Sequence, residues 1–162
     1  MDSSVRLISA NFTDIFSQAV HKTHGVVMLT STGHSNFAVT HPGMYHYLPS
    51  KVDSLKITQQ WEANCMLIFR TQQVYNNILK WWVLCALDQK CIAPTSQRAC
   101  KFPKHDRYKE YASCHRFDQS AINILLANMY DFDDWFYYAK VRVAKIKRGG
   151  APLEGQSLTH CS

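Results

Sequence analysis

The clearest pattern along the chain lies near its C-terminal third. Ala121, Ile122, Ile124, Leu125, Leu126 and Met129 fall at i, i+3 and i+4 spacings, which predicts a helix with a broad apolar face. Asp118 is placed to cap that helix, and Ser120 follows in its first turn. A second long helix is expected from Thr71 or Gln72 to Asp88, and a shorter one over residues 14–22, capped by Thr13, with Ile15, Phe16, Ala19 and Val20 facing inward. "GVVMLT" (25–30) and "ANCMLIFR" (63–70) are short, apolar and β-rich, as buried strands are. Residues 5–8 read as the end of a strand, and "VRVAKI" (141–146) alternates as a final one. "STGHS" reads as a turn and "NFAVTH" as an extended piece, while "GMYHYLP" reads as a short helix closed by Pro49. Residues 131–140 read as an acidic-aromatic loop with a helical turn. Strands alternating with helices imply an α/β domain over residues 1–148, followed by a disordered tail, 149–162.

Composition narrows this picture only a little. The 162 residues suffice for one domain with its own core, and 46% hydrophobic with 19% charged residues is a globular balance. The formal charge of +6 favours anionic partners weakly. No nucleic-acid module pattern is present, so no nucleic-acid partner is expected. No apolar run is long enough to span a bilayer, and the first residues have neither the basic nor the apolar part of a signal peptide. A membrane association is therefore expected only through an anchor that this stretch of chain lacks.

Six cysteines change the picture more. Cys85, Cys91, Cys100 and Cys114 crowd into an irregular segment containing Pro94 and Pro103. That density suggests two disulfides stapling a loop in an oxidising compartment, with three pairings open. Zinc, with His105 or His115 as further ligands, is the competing reading. The spacings C-x5-C, C-x8-C and C-x13-C lack the close knuckle of structural zinc sites, which favours disulfides. Cys65 is expected as a free thiol in a buried strand, and Cys161 as an unpaired thiol in the tail. The Asn11 sequon agrees with a secretory location.

Chemistry-bearing residues gather ahead of the C-terminal helix in "CHRFDQ", where the positive helix end meets His115, Arg116, Asp118 and Gln119. "GHSNFAVTHPGMYHYLP", "LKWWVLCALDQKCIAP" and "CHRFDQSAINILL" resemble a poorly characterised metazoan, nematode-rich family of glycosyltransferase-like proteins. More distantly, "MDSSVRL", "WEANCMLIFRT" and "FDQSAINILL" are similar to the Asp-x-Asp strand end, the donor-lining strand and the Asp-Gln helix start of GT-A fold nucleotide-diphospho-sugar transferases. The resemblance implies that the chain is the C-terminal part of a GT-A-like domain, in the Golgi lumen or outside the cell. It implies transfer of a sugar from a nucleotide sugar to a glycan acceptor, with Asp118 and Gln119 as the catalytic pair. Asn64, His115, Arg116 and His34 would contact substrate, and Asp2 would help to hold Mn or Mg. Ser4 stands where the second acid would be, and the nucleotide-binding half precedes this motif in such enzymes. No cofactor and no turnover are therefore expected of this chain alone. A non-catalytic carbohydrate-binding or interaction module, with self-association through the face left uncovered, is the alternative. On residue type alone, Trp81 and Trp82 read as core, His34 and His41 as structural, and Asp133 and Asp134 as an exposed acidic pair.

Overall fold

The structure, a computed structural model, describes residues 4–9, 11–21, 25–103, 106–139 and 143–146. The expectations for Asp2, His105, the Val20 side chain and the 149–162 tail lie outside the described residues. The architecture is mixed α/β, and its strands form three antiparallel pairs: β1 (Val5–Leu7) with β6 (Ala144–Ile146), β2 (Val26–Met28) with β5 (Met66–Ile68), and β3 (Ser31–Ser35) with β4 (Gln59–Trp61). The Tyr137–Ala139 segment runs parallel beside β2, where the Met28 N–H donates to the Tyr137 carbonyl and the Ala139 N–H to that of Met28.

β2 divides the interior. Strand side chains alternate between faces, and all three residues of β2 are fully buried. Val26 and Met28 enter the main core with Met44, Leu55, Val74, Ile78, Ile122 and Leu126. Val27 faces the opposite way, against Ile15 and Ala19 of α1 (Thr13–His21) and Ala139. Gly25 makes the entry to β2 possible. Its φ is +123°, and a Cβ there would sit 2.8 Å from Val74 Cγ2 and 3.1 Å from the Phe69 carbonyl oxygen.

The long helix is continuous but not uniform. α3 (Gln72–Val74) starts on the Thr71 side chain, which accepts from the Val74 N–H, and then widens into a π-helical segment, Tyr75–Leu79, before α4 (Lys80–Leu87). A single turn, α5 (Gln89–Ile92), is capped by Asp88, and α6 (Phe117–Met129) buries most of its length. The sulfur chemistry is settled by two disulfides, Cys85–Cys91 and Cys100–Cys114, while Cys65 is a buried free thiol. The first ties α4 to α5, and the second holds the irregular loop against Ala38, Val39 and Ala112.

Several expectations are corrected. "STGHS" is strand β3, and Phe37–Val39 is a 3-10 turn instead of an extended piece. The polar stretch after Pro49 holds α2 (Val52–Leu55) and β4. Phe16 is 47% exposed, packing edge-on against Phe69 instead of entering the core. Trp81 is 45% exposed, and only Trp82 of the pair packs against the main core. α4 also exposes Val83, Leu84 and Leu87, the last at 79%.

The disulfides are expected to contribute in proportion to the loops they close. Replacing Cys100 and Cys114 together by Ser, a sequence separation of 14, should cost about 3 kcal/mol, against about 2 kcal/mol for the Cys85/Cys91 pair, whose separation is 6. Urea midpoints of the two double variants measure this, and a larger loss for the shorter loop would contradict it.

Candidate functional site

The site region is built around the start of α6, which the sequence places where several elements converge. The backbone there is strained. Phe117, the first helical residue, has φ +45°, a conformation non-glycine residues rarely adopt. It is held by aromatic and cationic contacts: its ring lies 5.2 Å from that of His115, and the Arg98 guanidinium sits 5.3 Å from its centroid. The Cys100–Cys114 bridge fixes the chain just upstream. This geometry moves the cap. Arg116 occupies the N-cap position without a side-chain bond, and Asp118 is an exposed residue of the first turn instead of the cap.

Gln119 turns inward. Its Nε2 donates to Gln60 Oε1 at 2.7 Å, Gln60 Nε2 donates to Asn36 Oδ1 at 2.7 Å, and Asn36 Nδ2 returns to the Ser120 carbonyl at 3.5 Å. One turn on, Asn123 clamps the Trp61 peptide from both sides, accepting from its N–H and donating to its carbonyl, each at 2.8 Å. Thr40 donates to Ser120 Oγ at 2.9 Å. Asn36, Thr40, Gln60, Ser120 and Asn123 are all buried, so this polar network spans the interior. Sequence reasoning missed Gln60 and Asn123. Asn123 had the signal of a polar residue inside an apolar helix, whereas Gln60 lies in a polar stretch and had none.

Asn64 belongs to the same neighbourhood. The Ala63 N–H donates to Gln119 Oε1 at 3.4 Å, which sets the Glu62–Asn64 turn against the α6 entrance. Asn64 Nδ2 donates to Glu62 Oε2 at 2.6 Å, and its buried Oδ1 has no hydrogen-bond partner among the described residues. Trp82 Nε1 donates to the Asp118 carbonyl at 3.1 Å and closes the other flank. Gln119 and the turn that carries Asn64 are thereby drawn together from elements far apart in sequence, with the Asp118 side chain exposed at the same helix start.

The two histidines differ. His115 is fully buried; its Nδ1 accepts from the His41 N–H at 3.2 Å, which leaves Nε2 to donate to the Ile92 carbonyl at 3.0 Å. Both ring nitrogens are thus committed to backbone. Burial pushes its pKa from 6.5 down to about 4, with the Ile92 bond opposing and nearby His41 adding to the shift. His34, in β3, is buried beside Phe102, with Nδ1 3.2 Å from the Ser35 carbonyl oxygen. Its pKa is lowered mainly by burial, and the Arg107 and Arg116 guanidiniums lower it further. Arg107 lies over the Phe102 ring at 4.5 Å. Arg107 and Arg116, beside a His34 that their charge and its burial keep neutral, form a cationic flank on which a phosphate or carboxylate would be welcome.

Two further geometric facts bear on chemistry. Among the described residues, no group of three or more His, Cys, Asp or Glu side chains is placed to hold a metal ion. Asp133 caps the 3-10 turn Asp134–Phe136, its Oδ1 accepting from the Trp135 N–H at 2.9 Å. Comparison with protein-family profiles, with characterised proteins and with solved structures gives no match.

Two outcomes follow from these bonds. Asn123→Ala leaves the buried Trp61 N–H and carbonyl without their partner and should lower stability by about 2 kcal/mol or more, whereas exposed Asp118→Asn should stay within about 0.5 kcal/mol. Equal urea midpoints for the two variants would contradict the network's role. The second outcome concerns pH. Because the folded pKa of His115 lies below its ordinary value, the unfolded chain binds its proton first as pH falls. Stability should therefore be complete above about pH 6.5 and decline toward about pH 4, with His34 acting in the same direction. Urea midpoints across that range should fall more steeply for the native protein than for His115→Gln.

Proposed function

We propose that this chain is a glycosyltransferase-like domain of the secretory pathway whose α6 entrance recognises the sugar of a nucleotide-sugar donor, and that alone it does not transfer that sugar. The reading rests on one observation above the rest: Gln119 bonds the Asn64 turn at the helix start that also presents the exposed Asp118, although 56 residues separate Ala63 from Gln119. An exposed carboxylate and carboxamide oxygens beside it are the groups that accept sugar hydroxyls. Arg116 and Arg107 on the adjoining flank suit a diphosphate.

The two disulfides support an oxidising compartment. The GT-A assignment itself remains a resemblance in sequence. It is compatible with mixed α/β structure, although the strands pair antiparallel in twos. No metal-assisted step belongs to the proposal. Ser4 stands where the resemblance puts the second acid, and a hydroxyl is a poor replacement for a carboxylate on Mg or Mn.

The test is saturation-transfer NMR with UDP-glucose, UDP-N-acetylglucosamine, UDP-galactose and GDP-mannose, alongside a separate assay, with manganese present, for hydrolysis and transfer. The expected result is contact at the hexose protons of one donor, an affinity at least about tenfold weaker in Asp118→Asn, and no turnover. Binding unchanged in Asp118→Asn would overturn the site. Binding of free sugar with no preference for its nucleotide would favour the alternative, a non-catalytic carbohydrate-binding module.

A further inference from the structure

A concavity of about 460 Å³ lies along the C-terminal half of α6, lined by Tyr47, Pro49, Asn77, Trp81, Asn128 and Met129 among others. Its far wall is about 15 Å along the helix axis from Asp118, ten residues at the usual rise. We infer that this groove is a binding site for a neutral glycan, with a pyranose ring laid on the Trp81 indole and its hydroxyls read by the Asn77 and Asn128 carboxamides. The inference does not rest on the reading of the α6 entrance.

Four observations carry it. The first is the indole itself. Trp81 is 45% exposed at the groove, and the Lys80 ammonium stands 5.1 Å from its ring centroid. A large aromatic left at a concave surface is a ready stacking platform. The second is the lining, which mixes these rings with polar groups. Asn128 is held rigid, donating through Nδ2 to the Pro49 carbonyl at 2.8 Å and accepting from Ser50 Oγ at 2.6 Å. Each carboxamide has two N–H bonds and two lone-pair directions, so Asn128 keeps one of each for a ligand.

The third observation is charge. The chain is formally +6, yet no acidic or basic side chain is among the groove's lining residues. Apart from the Lys80 ammonium at the Trp81 ring, the lining offers a phosphate or acidic peptide no charged group, whereas a neutral polyol with an apolar ring face needs none. The fourth is the helix wall. Asn77 sits in the π-helical segment Tyr75–Leu79, whose widened turn departs from regular α-helical geometry. Such segments are retained chiefly where they position a side chain for use. Size agrees as well, since 460 Å³ is within the range of small-ligand sites.

The experiment titrates the folded, disulfide-bonded protein with the β-linked trisaccharides of glucose, N-acetylglucosamine and mannose, following backbone and Asn side-chain amide resonances. The expected result is saturable shifts at Asn77, Trp81 and Asn128 with at least one trisaccharide. Trp81→Ala should weaken that binding at least tenfold and Trp81→Phe should restore much of it, while Asp118→Asn leaves it unchanged. Trp81 buries just over half of its surface, so Trp81→Ala should lower the urea midpoint, and binding is compared in the absence of denaturant, where the same urea curve shows the variant folded. A failure of the nucleotide-sugar experiment at Asp118 leaves this result standing, and the reverse holds. The inference is overturned if none of the three trisaccharides shifts these residues, if binding persists in Trp81→Ala, or if an apolar helical peptide binds the groove and the sugars do not.

Discussion

The fold depends on one constraint: α6 carries carboxamides into the interior, and each must find its partner there. A buried amide left unpaired costs on the order of 1–3 kcal/mol, so the network around Gln119 and Asn123 accepts few alternative arrangements. Its strength is in register. β4 has three residues, too few for ladder bonds alone to fix its position, and a slip of one residue would reverse every side chain. The Asn123 clamp on the Trp61 peptide removes that freedom, because it grips one residue's N–H and carbonyl together. Gln60 is then obliged to point inward, where Gln119 and Asn36 await it. Trp61 takes the other face and stacks on Tyr138 at 4.5 Å.

The same constraint explains which elements could be read from the sequence. α6 buries apolar side chains at regular spacing, while the long helix and β2 are legible as a long and a short apolar run. β3 and β4 do not work that way. In β3, Ser35 donates to the Tyr108 carbonyl, and Thr32 Oγ1 donates to the Gln60 carbonyl at 2.9 Å. The strand also bulges, since the five residues Ser31–Ser35 face the three residues Gln59–Trp61, with Gly33 at φ +73°. A strand built on hydroxyls, a histidine and a bulge has no alternating pattern to read. "QQW" inverts the usual rule, because the buried residue on its inner face is a glutamine.

Residue roles were legible to the extent that local chemistry decided them. Cysteine density alone pointed to two bridges, but the pairing needed three-dimensional neighbours. Asp118 has the chemistry of an N-cap, and it lost that position because Phe117 adopts a left-handed backbone ahead of it. Trp81 and Trp82 open a run of seven apolar residues ending at Leu87, so periodicity could not say which faced inward. The fold separates them, sending Trp82 to the Asp118 carbonyl and leaving Trp81 at the groove.

That separation shows how one helix can serve two surfaces of different chemistry. The inner face of α6 is fully satisfied, so its position is set by bonds that no ligand needs to break. At its entrance, strain at Phe117 is balanced by His115, Arg98 and a disulfide, an arrangement that holds Asp118 outward instead of spending its carboxylate on the helix's own N–H groups. Charge is concentrated there, with Arg107 and Arg116 nearby. Toward the other end, Asn128 is fixed by Pro49 and Ser50, and ionisable side chains give way to amides and rings. A rigid helix core with a charged entrance and a neutral flank presents each surface without reorganisation, the condition under which a few weak polar contacts yield selective binding.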